Sequence, residues 1–134
     1  MPKIILKVLL TEDNEDQRML YHDVLTEAGY TVIDAKCASE ALELFDLQQP
    51  DVVVLDIQMP GMDGMEAMSK VLAKDRMIPV ILYSAYPAYK ANYLTWGADA
   101  FVVKTGDPAE LVDAIKRIEK ERGVGAKLQP AAKS

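Results

Sequence analysis

The chain has 134 residues, half of them hydrophobic, with a formal net charge of −6 at pH 7 and a single cysteine, Cys37. That length suits one domain with one core, and the negative charge excludes nonspecific attraction to nucleic acid or to anionic membranes, which carry the same sign. One cysteine allows no intrachain disulfide, apolar runs of about seven residues fall far short of the roughly 20 that cross a bilayer, and the opening MPKIILKVLL shows no signal-peptide cleavage pattern, so a cytoplasmic protein is expected.

In chain order, Ile4–Leu10 is the first predicted strand. Asn14 with Gln17 three residues later resembles a capping box, and the apolar set Leu20, Val24 and Ala28 leads to a stop at Gly29. Thr31–Ala35 is the second strand, followed by a helix near Ser39–Leu47. Val52–Leu55 is the third strand, and Asp63 with Glu66 opens the third helix as a second box. Pro79–Tyr83 and Ala100–Val103 are the fourth and fifth strands; Asp107, Pro108 and Glu110 then supply an N-cap, a first-turn proline and an N3 acid for a last helix that Gly123 ends. Most strands are continuously apolar, as strands covered on both faces are, and alternation with helices calls for right-handed crossovers and a doubly wound parallel α/β sheet. Residues 1–122 are read as one domain. The tail GVGAKLQPAAKS, 123–134, has no periodicity and is expected to be flexible.

Four of the strands are followed at once by reactive polar residues: Glu12 and Asp13, Asp56, Ser84 and Lys104. In an open parallel sheet the carboxyl ends of the strands line one crevice, so three carboxylates, a hydroxyl and an ammonium converge there. Crowded carboxylates need a cation, and Mg2+ favours carboxylate oxygens together with water and phosphate. The combination points to metal-assisted phosphoryl chemistry on an aspartate. Any one of these acids alone would be read as a cap or a solvated loop residue; the joint pattern reverses that.

The segment PDVVVLDIQMPGMDG, Pro50–Gly64, taken with Thr11-Glu12-Asp13-Asn14, Tyr83-Ser84-Ala85 and Phe101-Val102-Val103-Lys104, resembles the receiver domain of two-component response regulators from about Ile4 to Arg122. The resemblance implies a flavodoxin-like fold of five parallel strands in the order 2-1-3-4-5, an order for which a chemotaxis receiver is itself a standard example. It makes Asp56 the phosphoacceptor, Asp13 a direct Mg2+ (or Mn2+) ligand, Glu12 a second acid acting through a metal-bound water, and the backbone carbonyl of Gln58 a further ligand. Lys104 and Ser84 would contact the phosphoryl group, small Ala85 would leave room for the phosphodonor, and Ser84 with Phe101 would form the switch. The implied partners are a histidine kinase or phosphotransfer protein and an output protein, with no direct nucleic-acid or membrane partner. No turnover enzyme is implied, only a domain that promotes its own aspartyl phosphorylation and dephosphorylation. With no output domain after the last helix, a single-domain regulator is expected.

The chain departs from this pattern in two places. Thr105 follows Lys104 where the family usually has proline; a non-proline cis bond costs roughly 3 kcal/mol, so a trans bond is expected. The stretch between Ser84 and Gly97 is short for a full fourth helix and its loop, and carries Tyr86, Tyr89, Tyr93 and Trp96 at spacings of three and four. A shortened fourth helix is expected, with the aromatic residues either in the core or on a partner face. Two rival functions fit parts of the sequence: a docking module without phosphorylation, and an aspartyl-nucleophile phosphatase, which wants a second Asp where Gln58 stands. His22, Cys37 and the methionines Met59, Met62, Met65 and Met68 are read as packing or surface residues.

Overall fold

The computed structural model of the protein describes residues 6–86, 88, 97–104 and 107–122. Five parallel strands, β1 (Lys7–Thr11), β2 (Thr31–Ala35), β3 (Val52–Asp56), β4 (Val80–Ser84) and β5 (Ala100–Val103), form one sheet in the order β2-β1-β3-β4-β5. The described helices are α1 (Glu15–Glu27), α2 (Ala38–Gln48), α3 (Gly64–Lys74) and α4 (Ala109–Arg122). The strand order and the parallel pairing are those expected from the sequence. The shortened fourth helix, the Lys104–Thr105 bond, residues 4 and 5 of the first predicted strand, the stop at Gly123 and the tail lie outside the described residues.

All five residues of β3 and of β4 are buried, as central strands covered on both faces require. Beneath α1 and α4 lie Val8, Leu10, Val52, Val54, Ile81, Tyr83, Ala100 and Val102. Beneath α2 and α3 lie Leu9, Val53, Leu55, Val80, Leu82 and Phe101. The two sets alternate along each strand, which is the period of two at work. The edge strand β2 departs from the buried pattern, with Thr31 and Asp34 exposed.

Of the three predicted N-caps, Asn14 Oδ1 accepts from Gln17 N at 2.9 Å and Asp63 Oδ1 from Glu66 N at 2.9 Å, while Asp107 Oδ1 accepts from Ala109 N at 2.9 Å. The box at Asn14 is only half made, because Asn14 N donates to Glu12 Oε2 at 3.0 Å rather than to the Gln17 side chain. The apolar stripe of α1 also needs correction. Tyr21 and Leu25 are buried, with Val24 and Ala28 packed beside them, while Leu20 is 48% exposed. One residue is a rotation of about 100°, and the Tyr21 ring meets Tyr83 edge to face at 5.3 Å, which settles the rotation in favour of Tyr21. Met59 and Met68 are buried and Met62 and Met65 partly so, consistent with packing roles.

At the amino ends of the strands, acids finish the ladder. Asp51 Oδ2 accepts from Lys7 N at 2.8 Å, and Asp99 Oδ2 from Val80 N at 2.9 Å. The acids at the opposite ends do something else.

Candidate functional site

Strand alternation carries three charged residues onto one face. Past Val8 and Leu10 the next position on the α1/α4 side is Glu12; past Val52 and Val54 it is Asp56; past Ala100 and Val102 it is Lys104. The ladders hold these positions in line: Glu12 N donates to Ala35 O at 3.0 Å and Lys104 N to Ser84 O at 2.9 Å. The side chains meet. Lys104 Nζ lies 2.5 Å from Asp56 Oδ2 and 2.6 Å from Glu12 Oε1, and donates to Gln17 Oε1 at 3.2 Å. All three charged side chains are nearly closed to solvent, Lys104 being 8% exposed, Glu12 1% and Asp56 5%.

Burial on this scale penalises charge, and the two acids answer differently. Asp56 is pushed up to about 6: its burial and the neighbouring Glu12 charge outweigh the opposing pull of Lys104 and of the Gln58 N–H, which donates to Asp56 Oδ1 at 3.0 Å. Glu12 moves the other way. Burial raises it too, but donation from Lys104, Asn14 N and the Tyr83 hydroxyl, with the Lys104 charge, leaves it below the usual carboxylate range. Glu12 is the anchored anion of the pair, and Asp56 the one whose charge depends on pH.

Asp13 is exposed at the mouth, and Glu12, Asp13 and Asp56 each offer an oxygen within 4.8 Å of the others. Octahedral ligands at 2.0–2.1 Å from Mg2+ stand about 3 Å apart when adjacent and about 4 Å when opposite, so the three carboxylates are near enough to hold one such ion after a small inward adjustment, with water completing the shell. The set is all oxygen, as a hard cation requires. Ser84 is buried at 1% exposure on the opposite sheet face, continuing Val80 and Leu82; its Oγ accepts from Tyr86 N at 3.0 Å, which leaves the hydroxyl its own proton to donate. Phe101, 9% exposed, packs among Leu9, Leu55 and Leu82 on that same face. Ala85 and the Gln58 side chain are exposed. Of the aromatic stripe, Tyr86 is 54% exposed, and Tyr89, Tyr93 and Trp96 lie outside the described residues.

Three participants escaped the sequence reading. Tyr83, read as strand core, donates its hydroxyl to Glu12 Oε1 at 2.9 Å, and its ring faces Lys104 Nζ at 4.6 Å from the centroid. Gln17, read as half of a capping box, reaches Lys104. Gly64, in the sequence only the last residue of the segment Pro50–Gly64, is the first residue of α3 and passes so close to Asp56 that a Cβ would overlap the Asp56 carbonyl oxygen. Only for Tyr83 was there a signal, a polar group on the last apolar strand position before Ser84.

A profile described as the response regulator receiver domain matches residues 8–116. The chain is 33% identical over 117 residues to the chemotaxis protein CheY of Thermotoga maritima, covering 85% of this chain and 98% of that one. It is 32% identical over 113 residues to the sporulation initiation phosphotransferase F of Bacillus subtilis, covering 83% and 91%. Among solved structures it superposes on the response regulator protein TrrA of Thermotoga maritima in complex with Mg2+-BeF, with a TM-score of 0.79, 33% identity and coverage of 85% and 99%. Motif order, strand order and these likenesses agree over most of the sequence, and the chain belongs to the response regulator receiver domain family, the signalling domains of two-component and phosphorelay systems.

Proposed function

We propose that the protein takes a phosphoryl group from a histidine kinase or phosphotransfer protein onto Asp56, with Mg2+ or Mn2+, and then changes its affinity for an output partner. The observation that carries this reading is Lys104 Nζ held within 2.6 Å of both Asp56 and Glu12, with Asp13 in the same acidic cluster. In the transfer, an Asp56 oxygen forms a bond to phosphorus as the phosphorus–nitrogen bond of the donor phosphohistidine breaks, and the imidazole leaves with that electron pair. A carboxylate is a weak nucleophile, so the charge on the transferred oxygens has to be neutralised. Lys104 supplies one cation, and the Ser84 hydroxyl a hydrogen bond. Glu12, Asp13, Asp56 and the Gln58 carbonyl would hold the metal, which supplies the remaining positive charge and orients the phosphoryl group. Movement of Ser84 toward the phosphoryl group would release Phe101 on the same sheet face, and Tyr86, Tyr89, Tyr93 and Trp96 are proposed as the output face.

Incubation with a small-molecule phosphodonor and Mg2+, followed by intact mass, tests the reading. A gain of one phosphoryl group is expected in the wild type and none in Asp56→Asn; a gain that survives Asp56→Asn would sink it.

Two further results are expected of the metal. Asp13→Ala should weaken Mg2+ binding about tenfold or more, because a site that keeps several waters has few protein ligands to lose. Since Asp56 titrates near 6 without metal, its proton must leave before Mg2+ binds, and affinity should be roughly tenfold weaker at about pH 5 than at about pH 7. Calorimetry of Mg2+ binding across that range checks both, and a flat profile would contradict the Asp56 assignment.

A further inference from the structure

Glu12 Oε1 is where two donors meet, the Tyr83 hydroxyl at 2.9 Å and Lys104 Nζ at 2.6 Å. The same tyrosine presents its ring face to that ammonium, 4.6 Å from Nζ to the centroid. One side chain therefore grips both ends of an ion pair, its hydroxyl on the anion and its π face toward the cation. The ring has no freedom to follow either partner elsewhere: it is fully buried, lies edge to face against Tyr21, and its hydroxyl also reaches Thr11 O at 3.3 Å. In this arrangement Lys104 occupies one oxygen of Asp56 and one of Glu12, two carboxylates of the acidic cluster. An entering divalent cation needs the same carboxylates, so it competes with the ammonium. The Asn14 N–H at 3.0 Å holds only Glu12 Oε2. The Tyr83 hydroxyl fixes Oε1, the oxygen that meets Lys104, and so supports the lysine bridge.

We infer that Tyr83 is a positioning residue that clamps the Glu12–Lys104 pair in its metal-free arrangement and so raises the concentration of divalent cation needed to open the pocket. The inference rests on the proposed metal site. Tyr83→Phe is the informative change, because it keeps the ring, its packing on Tyr21 and its face toward Lys104, and deletes only the hydroxyl. Calorimetry of the full chain with Mg2+ alone should show about fivefold tighter binding in Tyr83→Phe, the scale of one hydrogen bond. In a Lys104→Ala background the same change should have no effect, since the bridge it supports is gone. A second readout needs no lysine variant: with tyrosines labelled at the 13Cζ position, the signal missing from Tyr83→Phe should shift in the wild type as Mg2+ is added. Lower thermal stability with unchanged Mg2+ affinity, weaker binding, or an equal gain in the Lys104→Ala background would each overturn the inference. A stationary Tyr83 signal during a saturating titration would do the same. Wild-type protein that binds no Mg2+ would overturn both this inference and the proposed metal site, whereas a wild type that binds and a Tyr83→Phe variant equal to it would overturn the inference alone.

Discussion

Lys104→Ala is expected to accept phosphate on Asp56 on the order of a hundred times more slowly, the usual effect of removing one fixed donor from a developing anion. Lys104 is the ammonium bridging Asp56 and Glu12, and its side chain is 8% exposed. Its loss should also cost about 3 kcal/mol of stability, because two buried carboxylates lose their counter-charge. The pH dependence of that cost has a definite sign. Without Lys104, Asp56 loses an influence that lowers its pKa from an already raised position near 6, and Glu12 loses the main one holding it down. Both then titrate above their unfolded values. The folded state binds more protons than the unfolded state, so stability falls as pH rises through that window and recovers on acidification. Mg2+ should restore part of it at neutral pH, by about 2.7 kcal/mol at a hundredfold excess over the dissociation constant. Denaturant titrations at acid and neutral pH, with and without Mg2+, alongside time courses of intact mass, check these effects. An unchanged rate of phosphorylation would reduce Lys104 to a structural charge.

Gly64→Ala should be the most damaging small substitution in the β3–α3 connection. Gly64 N donates to Ile57 O at 2.9 Å, closing the loop that follows Asp56. A Cβ at residue 64 would overlap the Asp56 carbonyl oxygen and lie 2.8 Å from the Asp56 carbonyl carbon and from Ile57 Cα. Every one of those atoms is backbone, so no flexible side chain can give way. The start of α3 or the end of β3 must shift, at a cost of about 3 kcal/mol, equivalent to a Tm lower by about 10 °C at this chain length. The displaced residue is the proposed phosphoacceptor, so the rate of phosphorylation should fall as well. Gly61→Ala is the control. Gly61 has φ +79 with nothing within 4 Å of a Cβ, so alanine there meets only backbone strain of about 1 kcal/mol and should leave Asp56 chemistry intact. Thermal unfolding and phosphorylation rates of the two variants, compared side by side, decide the point, and equal effects would refute the close-approach argument.

Asp56, Glu12 and Lys104 were legible in the sequence because their positions follow from one-dimensional rules. A buried parallel strand announces itself as an apolar run, its carboxyl end is where the crevice lies, and a period of two assigns each following residue to a face. The caps at Asn14 and Asp63 were legible for the same reason, since donor and acceptor are three residues apart. Properties that depend on distances between elements were not. Leu20 and Tyr21 both suit an amphipathic helix, and only the Tyr83 ring beneath α1 selected the rotation that buries Tyr21. The side chain of Gln17 had a local partner in its capping box and a distant one in Lys104, 87 residues away, and the ammonium won. Tyr83 read as core, as its ring is, and nothing along the chain shows that its hydroxyl ends against Glu12, 71 residues earlier. Which residues reach the crevice follows from the order of residues along the chain, because strand polarity and alternation are local. Tertiary packing alone decided how their charges pair, because ion pairing and desolvation depend on separations of a few ångströms set by elements far apart in the chain.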